Sequence, residues 1–318
     1  MAVFFAHKKL CFTPGSSQKL FAFFYNVLMR AFLFHLIIQL NSLLSLSGSH
    51  RLARGLAALI WRLSAKQQHI ALTNIRLCYP QMSADRQQQL ARDSLVETIK
   101  SVCELGVVWR RYPKKFPDLI KDVKGQEILD KALTQGQGVL LAAPHFGNWE
   151  VLNLWLSRYD DFAFLYKPPS DPKIEQLLLR YRGQGGARQI TADGKGVRAM
   201  LKHLNHKGIM AILPDQQPKS GQGVFVDFMG QPAYTMTLFS KIAKKTKAPV
   251  VMAVAERRND GFVIHFKKAS NQIYADTAES ATALNQDIAK LVALNPSQYQ
   301  WTYKRFSIQS DGSNPYQG

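Results

Sequence analysis

A chain of 318 residues, 46% of them hydrophobic, has enough material for one large α/β domain with accessory helices or for two ordinary domains. Its 41 lysines and arginines against 22 aspartates and glutamates give a formal charge of +19, a field that attracts polyanions, anionic membrane surfaces or acidic proteins. The sequence has no paired Cys and His clusters, basic heptads or ribonucleoprotein-type aromatic motif, which argues against nucleic acid; three scattered cysteines, Cys11, Cys78 and Cys103, argue for a reducing compartment and against a structural metal.

Residues 1–19 form a basic segment containing Lys8, Lys9 and Lys19. The run LFAFFYNVLMRAFLFHLIIQLNSLLSL follows, long enough as a helix to cross a hydrocarbon layer. Arg30, His35 and Gln39 interrupt it, and a central arginine costs about 2.5–3.5 kcal/mol on insertion scales. The segment therefore crosses the bilayer or lies along its interface with Arg30 snorkelling to the headgroups. Arg51, Arg54 and Arg62 follow it, so basic residues on both sides leave its orientation open. It is too long for a cleaved signal peptide and lacks a convincing small-residue cleavage site. A retained membrane-anchor helix over 20–47 is expected, with a buried core helix as the alternative.

The remainder, 48–318, reads as one domain. Over 48–124 the stretches RLARGLAALIWRLS and SADRQQQLARDSLVETIKSVCELGVVW carry apolar residues at three- and four-residue spacing, the second after a cap at Ser83, and predict a helical layer. Over 125–318 short apolar runs alternate with amphipathic stretches, which predicts an α/β fold with a mostly parallel or mixed central sheet flanked by helices. The expected strands are GVLLAAP, FAFLYKP, GIMAILP, PVVMAVAE and GFVIHFKK; the expected helices cover 149–158, 172–182, 195–205, 235–245 and 276–294. The final SDGSNPYQG reads as a frayed tail.

The stretch GVLLAAPHFGNWEVLNLWL carries the chemistry. Val139 to Ala143 reads as a buried strand ended by Pro144, so His145 falls in the turn beyond its carboxyl end, where open α/β sheets place ligand sites. Gly147 permits a tight turn or close approach to substrate, and Asn148 can cap the next helix. On one continuous helix, five residues at about 100° each would leave His145 and Glu150 about 140° apart. They meet only if His145 folds back from the turn; Glu150 would then fix the imidazole tautomer and free the other nitrogen as a general base. This is the base and orienter of a triad without its nucleophile, which points to a hydroxyl on the substrate. A structural histidine near a helix start is the plain alternative.

PHFGNWE resembles the motif of a histidine, four residues and an acid in the glycerolipid acyltransferase superfamily, and specifically in the late acyltransferases of lipid A biosynthesis, the lauroyl and myristoyl transferases. YKPPSDP with IEQLLLRYR, LPDQQPKSGQGVFVDFMGQPAYTMTLFSKIAKKTKAPVV and QYQWTYKRF resemble the family's later blocks in order. The resemblance covers nearly the whole chain. It implies transfer of an acyl chain from acyl carrier protein to a hydroxyacyl chain of the Kdo-bearing, phosphorylated lipid A precursor, at the cytoplasmic side of the inner membrane, without metal or bound cofactor. Carried onto this chain, it makes His145 the base and Glu150 its partner. An acidic carrier protein and a phosphorylated acceptor both suit a +19 chain.

Weaker candidates for substrate binding are Gly147, Asn148, Lys167, Asp215, Gln216 and Gly230. Lys167 stands where the family's second block reads Tyr-Arg-Pro, keeping the charge but losing the two-pronged donor, and a solvent-facing lysine is the alternative. Asp215, past the strand GIMAILP at the same sheet edge as His145, orients a basic group or anchors its loop through Gln216, or is a plain turn aspartate. Gly230, with Thr235 opening the next helix, brings backbone N–H groups to acyl or phosphate oxygens, or is loop punctuation. Two other functions stand beside this one: an acyltransferase of the superfamily acting on another glycolipid or a lysophospholipid, and a catalytically silent membrane-binding protein. The silent protein predicts damage to the motif, whereas His145, Gly147, Asn148 and Glu150 are intact.

Overall fold

The computed structural model describes residues 31–317. The basic segment and the start of the expected anchor, up to residue 30, lie outside the described residues. Helix α1 is followed from 31 to 42 and does not continue to 47. Leu43 and Leu44 turn back onto the carbonyls of Leu40 and Asn41, and the Ser45 hydroxyl accepts from the Gly48 N–H, starting α2 (Leu46–Leu63) in a new direction. Among the described residues no helix is long and apolar enough to cross a membrane, and the break after residue 42 corrects the expectation of one helix continuing to 47. Ile38 and Asn41 of α1 are buried where α4 presents Gly106; a Cβ there would collide with the Ile38 carbonyl oxygen, so the two helices touch backbone to backbone.

Helices α2, α3 (Ala65–Cys78) and α4 (Ala84–Arg111) form a layer beside the sheet. α2 presses the small residues Ala53 and Ala57 inward and leaves Leu52, Leu56, Leu59 and Leu63 outside. Together with Phe32, Leu33, Leu36, Ile37, Leu40 and Leu43 of α1 and its turn, and Val102 of α4, they make up the exposed large hydrophobic residues of the described structure. Leu43 is 81% and Leu63 77% exposed, so these side chains stand clear of the fold.

The strands are β1 (Ile120–Lys124), β2 (Val139–Ala142), β3 (Phe162–Tyr166), β4 (Arg188–Thr191), β5 (Ile209–Ile212), β6 (Gly223–Phe228), β7 (Gln231–Met236), β8 (Val250–Arg257) and β9 (Phe262–Lys268). Seven form one mixed sheet in the order β1-β9-β8-β2-β5-β3-β4. β8, β2, β5, β3 and β4 run parallel; β9 turns back antiparallel on β8 and pairs with β1 in parallel. Both faces are covered, which explains the unbroken apolar runs. Leu140, Ala142, Met210 and Met252 join one core with α8 (Gly194–Asn205), α9 (Leu238–Thr246) and α10 (Thr277–Val292). Val139, Leu141, Ala211 and Ala253 join the other with α5 (Gln126–Thr134), α6 (Trp149–Leu156) and α7 (Pro172–Arg182).

Two further expectations are corrected. The helix expected from 235 begins at Leu238, because 231–236 pair with β6 in a separate hairpin. Nor is the tail frayed through its length: the Tyr316 ring is buried, and its hydroxyl accepts from the Phe306 N–H and donates to Asn74.

Candidate active site

The turn 143–148 leaves the carboxyl end of β2 at the centre of the sheet, and its backbone is tied on all sides. Gly147 donates to the Gln298 carbonyl at 3.0 Å, Asn148 to the Ala255 carbonyl at 3.1 Å, and Gln300 donates to the His145 carbonyl at 3.1 Å. Gly147 has φ +59°, and a Cβ there would collide with the Ala255 carbonyl oxygen, so glycine is required on two counts. Asn148 caps α6, its side-chain oxygen accepting from the N–H groups of Glu150 and Val151.

The β2 and β5 strands pair in parallel with Ala142 opposite Ile212, so His145 and Asp215, equal steps beyond them, arrive side by side. The His145 ring stands with Nδ1 2.9 Å from Asp215 Oδ1, and its backbone N–H donates to Oδ2 at 2.9 Å. Asp215 is buried. Burial alone would raise its carboxyl, but the neighbouring imidazole and the hydrogen bonds from His145 outweigh it and hold the carboxyl below the ordinary range. On the far side of the ring, the Gln216 amide nitrogen lies 3.2 Å from Nε2 and donates to Gln300 Oε1 at 3.1 Å.

The expected pairing of His145 with Glu150 is thus corrected: the imidazole's carboxylate partner is Asp215. Glu150, in the first turn of α6, is buried and faces Arg182 of α7, whose Nε and Nη2 donate to Oε1 at 2.8 and 2.6 Å. A buried carboxylate needs a cation more than it needs a neutral ring, and Arg182 supplies it. The match is incomplete. Oε2 makes no well-formed hydrogen bond, and burial prevails over Arg182 and a lesser contribution from the Trp109 indole to leave the Glu150 carboxyl above its ordinary value. The Arg182 guanidinium also stacks 4.5 Å over the Trp149 ring.

A second buried cluster secures the turn from below. Arg257, at the end of β8, donates from Nε and Nη2 to the two oxygens of Glu104 at 2.5 and 2.7 Å, and from Nη1 to Glu97 at 2.6 Å. Glu104 also accepts from Asn148 at 2.8 Å and lies 2.5 Å from His50 of α2. Burial, which would raise its carboxyl, is overcome chiefly by Arg257 and then by the His50 bond, and the group is pulled down to about 2. Ser101 adds a bond of 2.8 Å to the Gly147 carbonyl.

His145, Trp149, Glu150, Arg182, Gln300 and Val102 line a cleft of about 230 Å³. A larger cavity, about 730 Å³, sits at the opposite end of β8 among Lys131, Lys247 and Lys268, but it holds no imidazole or thiol and no acid–base pair. The chemistry makes the smaller cleft the candidate site. Lys167 is exposed just past β3 and does not line it, and Gly230, with φ +83°, occupies the exposed tip of the hairpin. Arg182, Glu104, Arg257 and Gln300 were not among the expected site residues. Signals for them existed: a lone glutamate in the apolar run VCELGVVW must be paired if buried, and Gln300 belongs to the QYQWTYKRF block. Among the described residues no group of His, Cys, Asp or Glu side chains is arranged to hold a metal ion.

Residues 19–307 match the family model of the bacterial lipid A biosynthesis acyltransferases. The chain is similar to a lipid A biosynthesis acyltransferase of Haemophilus influenzae, 26% identical over 79% of each chain. It is also similar to the lipid A biosynthesis lauroyltransferase of Escherichia coli K12, 25% identical over 83% of this chain and 86% of that one. A phosphatidylinositol mannoside acyltransferase of Mycobacterium tuberculosis is 27% identical over 56% of this chain and 57% of its own. With the match running through the helical layer, the sheet and the turn that carries His145, the chain belongs to the bacterial lipid A biosynthesis acyltransferase family and is an acyltransferase.

Proposed function

We propose that this acyltransferase moves a fatty acyl group from the thioester of acyl carrier protein to a hydroxyl on a hydroxyacyl chain of the Kdo-bearing lipid A precursor, with His145 as general base oriented by Asp215. The observation that carries this is the state of the imidazole. Its Nδ1 is committed to a buried carboxylate, its Nε2 lies beside the Gln216 amide in a residue that lines the cleft, and no serine, threonine or cysteine side chain hydrogen-bonds to it among the described residues. A base poised without a protein nucleophile suits attack by the acceptor's own hydroxyl on an already activated thioester. The proton passes to Nε2, and the thiolate expelled from the acyl carbon takes it back. Arg182 spends Nε and Nη2 on Glu150, leaving Nη1 for an anionic group of either substrate.

A cleft of about 230 Å³ encloses the reacting ends and leaves long acyl chains outside it. The exposed apolar face of α1 and α2, flanked by exposed Arg51, Arg54 and Arg62, fits an anionic bilayer surface, and Val102 joins that face to the cleft. We place the enzyme at the cytoplasmic side of the inner membrane, where Cys78 and Cys103, both free and buried, keep their thiols. A second reading, another glycolipid as acceptor, is favoured by the similarity to the phosphatidylinositol mannoside enzyme.

Product mass spectrometry tests the reaction. Wild-type protein and His145→Ala are incubated with acyl carrier proteins bearing chains of several lengths and the tetra-acylated lipid A precursor. One added acyl mass, lost in the variant, is expected; no addition from any donor by folded protein would send the search to other glycolipids, and equal addition by the variant would retire His145 as base. Leu56→Glu with Leu59→Glu is expected to reduce sedimentation with anionic vesicles, and unchanged sedimentation would sink the bilayer assignment.

A further inference from the structure

The resting geometry around His145 Nε2 raises a chemical question, because a general base whose lone pair is already occupied cannot receive a proton. Asp215 can only accept at the ring, so Nδ1 carries the hydrogen and Nε2 is the acceptor. Gln216 must therefore present an N–H to Nε2, at 3.2 Å, while the other hydrogen of the same amide goes to Gln300 Oε1 at 3.1 Å. With the neutral imidazole that a base requires, this chain of bonds runs in one sense, the Gln216 amide being assigned as donor at both ends. The Gln300 backbone is anchored to the same turn, its N–H donating to the His145 carbonyl.

We propose that the Gln216 side-chain amide is a catalytic group of the acyl transfer: it occupies the hydroxyl's place in the resting enzyme and becomes the donor to the oxyanion when the hydroxyl arrives. The acceptor hydroxyl replaces it at Nε2. As the hydroxyl oxygen bonds to the thioester carbon, its proton goes to Nε2 and the C=O π pair moves onto the carbonyl oxygen. That oxygen forms one bond-length from the attacked carbon, within reach of the N–H just displaced and still tethered to Gln300. Collapse restores the C=O bond, breaks the C–S bond and returns the proton to sulfur. The displacement happens as the hydroxyl binds, so the amide is already beside the carbonyl oxygen when charge develops there, and removing such a donor costs about 10²–10³ in kcat.

This rests on His145 being the base, so the two are tested together. Steady-state rates are measured with acyl carrier protein thioester and the tetra-acylated lipid A precursor for wild type, His145→Ala, Gln216→Leu, Gln216→Glu and Gln300→Leu, with thermal melts as the check on folding. The expected result for Gln216→Leu is a fall of about 10²–10³ in kcat with KM little changed. Gln300→Leu, which frees the amide without removing it, falls less and keeps the proposal testable should Gln216→Leu fail to fold. Gln216→Glu sets an anion against the ring and favours its protonated form, so the acid limb of its rate profile moves to higher pH. A Gln216→Leu or Gln300→Leu enzyme as fast as wild type, or faster because Nε2 is uncovered, would overturn the proposal while an inactive His145→Ala left the base standing. An active His145→Ala would overturn both.

Discussion

Glu104 and Glu150 lie on either side of the 145–148 turn, both buried and both paired with an arginine, yet their carboxyls are driven in opposite directions. Glu104 takes two bonds from Arg257 and others from Asn148 and His50, and is pulled down to about 2. Glu150 has well-formed bonds on one oxygen only, and burial outweighs Arg182 and the lesser contribution of the Trp109 indole to lift its carboxyl above the ordinary value. The difference lies in how completely each charge is answered, since a buried ion is stable only when its remaining lone pairs are also met. The complete cluster holds the turn through Asn148; the incomplete pair lines the cleft, where Arg182 Nη1 is the N–H proposed for substrate.

The largest stability effect separates the two arginines. Arg257→Met strands two carboxylates, Glu104 and Glu97, and is expected to cost about 3–5 kcal/mol in chemical denaturation. Arg182→Met is expected to cost clearly less, because the Glu150 carboxyl, held above its ordinary value, takes up a proton more readily than Glu104 once its arginine is gone. Equal losses would mean that the two glutamates do not differ as described.

Acid titration of stability sharpens the same contrast. Glu104 is depressed in the folded state, so its contribution is fully present above the unfolded glutamate value and is lost as pH falls towards about 2, a window worth roughly 3 kcal/mol. Glu104→Gln should flatten this acid limb while lowering stability at neutral pH. Glu150 is raised, so the folded protein holds its proton longer than the unfolded chain does, and stability falls as pH rises between those two values. Glu150→Gln should remove that decline, as followed by denaturation midpoints across the range.

Activity gives the next contrast. Arg182→Lys keeps the charge but loses the two-pronged grip on Glu150, about 1.5–3 kcal/mol for a bond to a charged group, hence roughly tenfold to a hundredfold in kcat/KM. The smallest expected effect is Trp149→Leu, which removes the stacking under Arg182, about 0.5–2 kcal/mol, and should appear mainly as a weaker KM.

Particular residues show how far the chain could be read without its fold. The position of His145 beyond a buried strand, the cap at Asn148 and the bounds of α7 follow from local rules: an apolar run ended by proline, an amide before a helix, Pro172 at a first turn. The strands β1 and β4 are short and partly exposed, and β6 and β7 lie in a loop-like block, so none shows a periodicity that separates it from its surroundings. The expected anchor broke at Ser45 because a hydroxyl that can cap a new helix competes with continuing the old one.

By itself, then, the amino-acid order determined the α/β class, the basic and apolar character of the surface, the family and the turn that carries His145. Those properties are local, written in spacing and side-chain type. Only the tertiary structure decided that Asp215 and not Glu150 meets the imidazole, that Arg182 takes Glu150, and that Gln216 covers Nε2. Each choice depends on which strands and helices become neighbours, here β5 beside β2 with histidine and aspartate 70 positions apart. Strand order is set by how the whole core packs, and no spacing within a single motif encodes it.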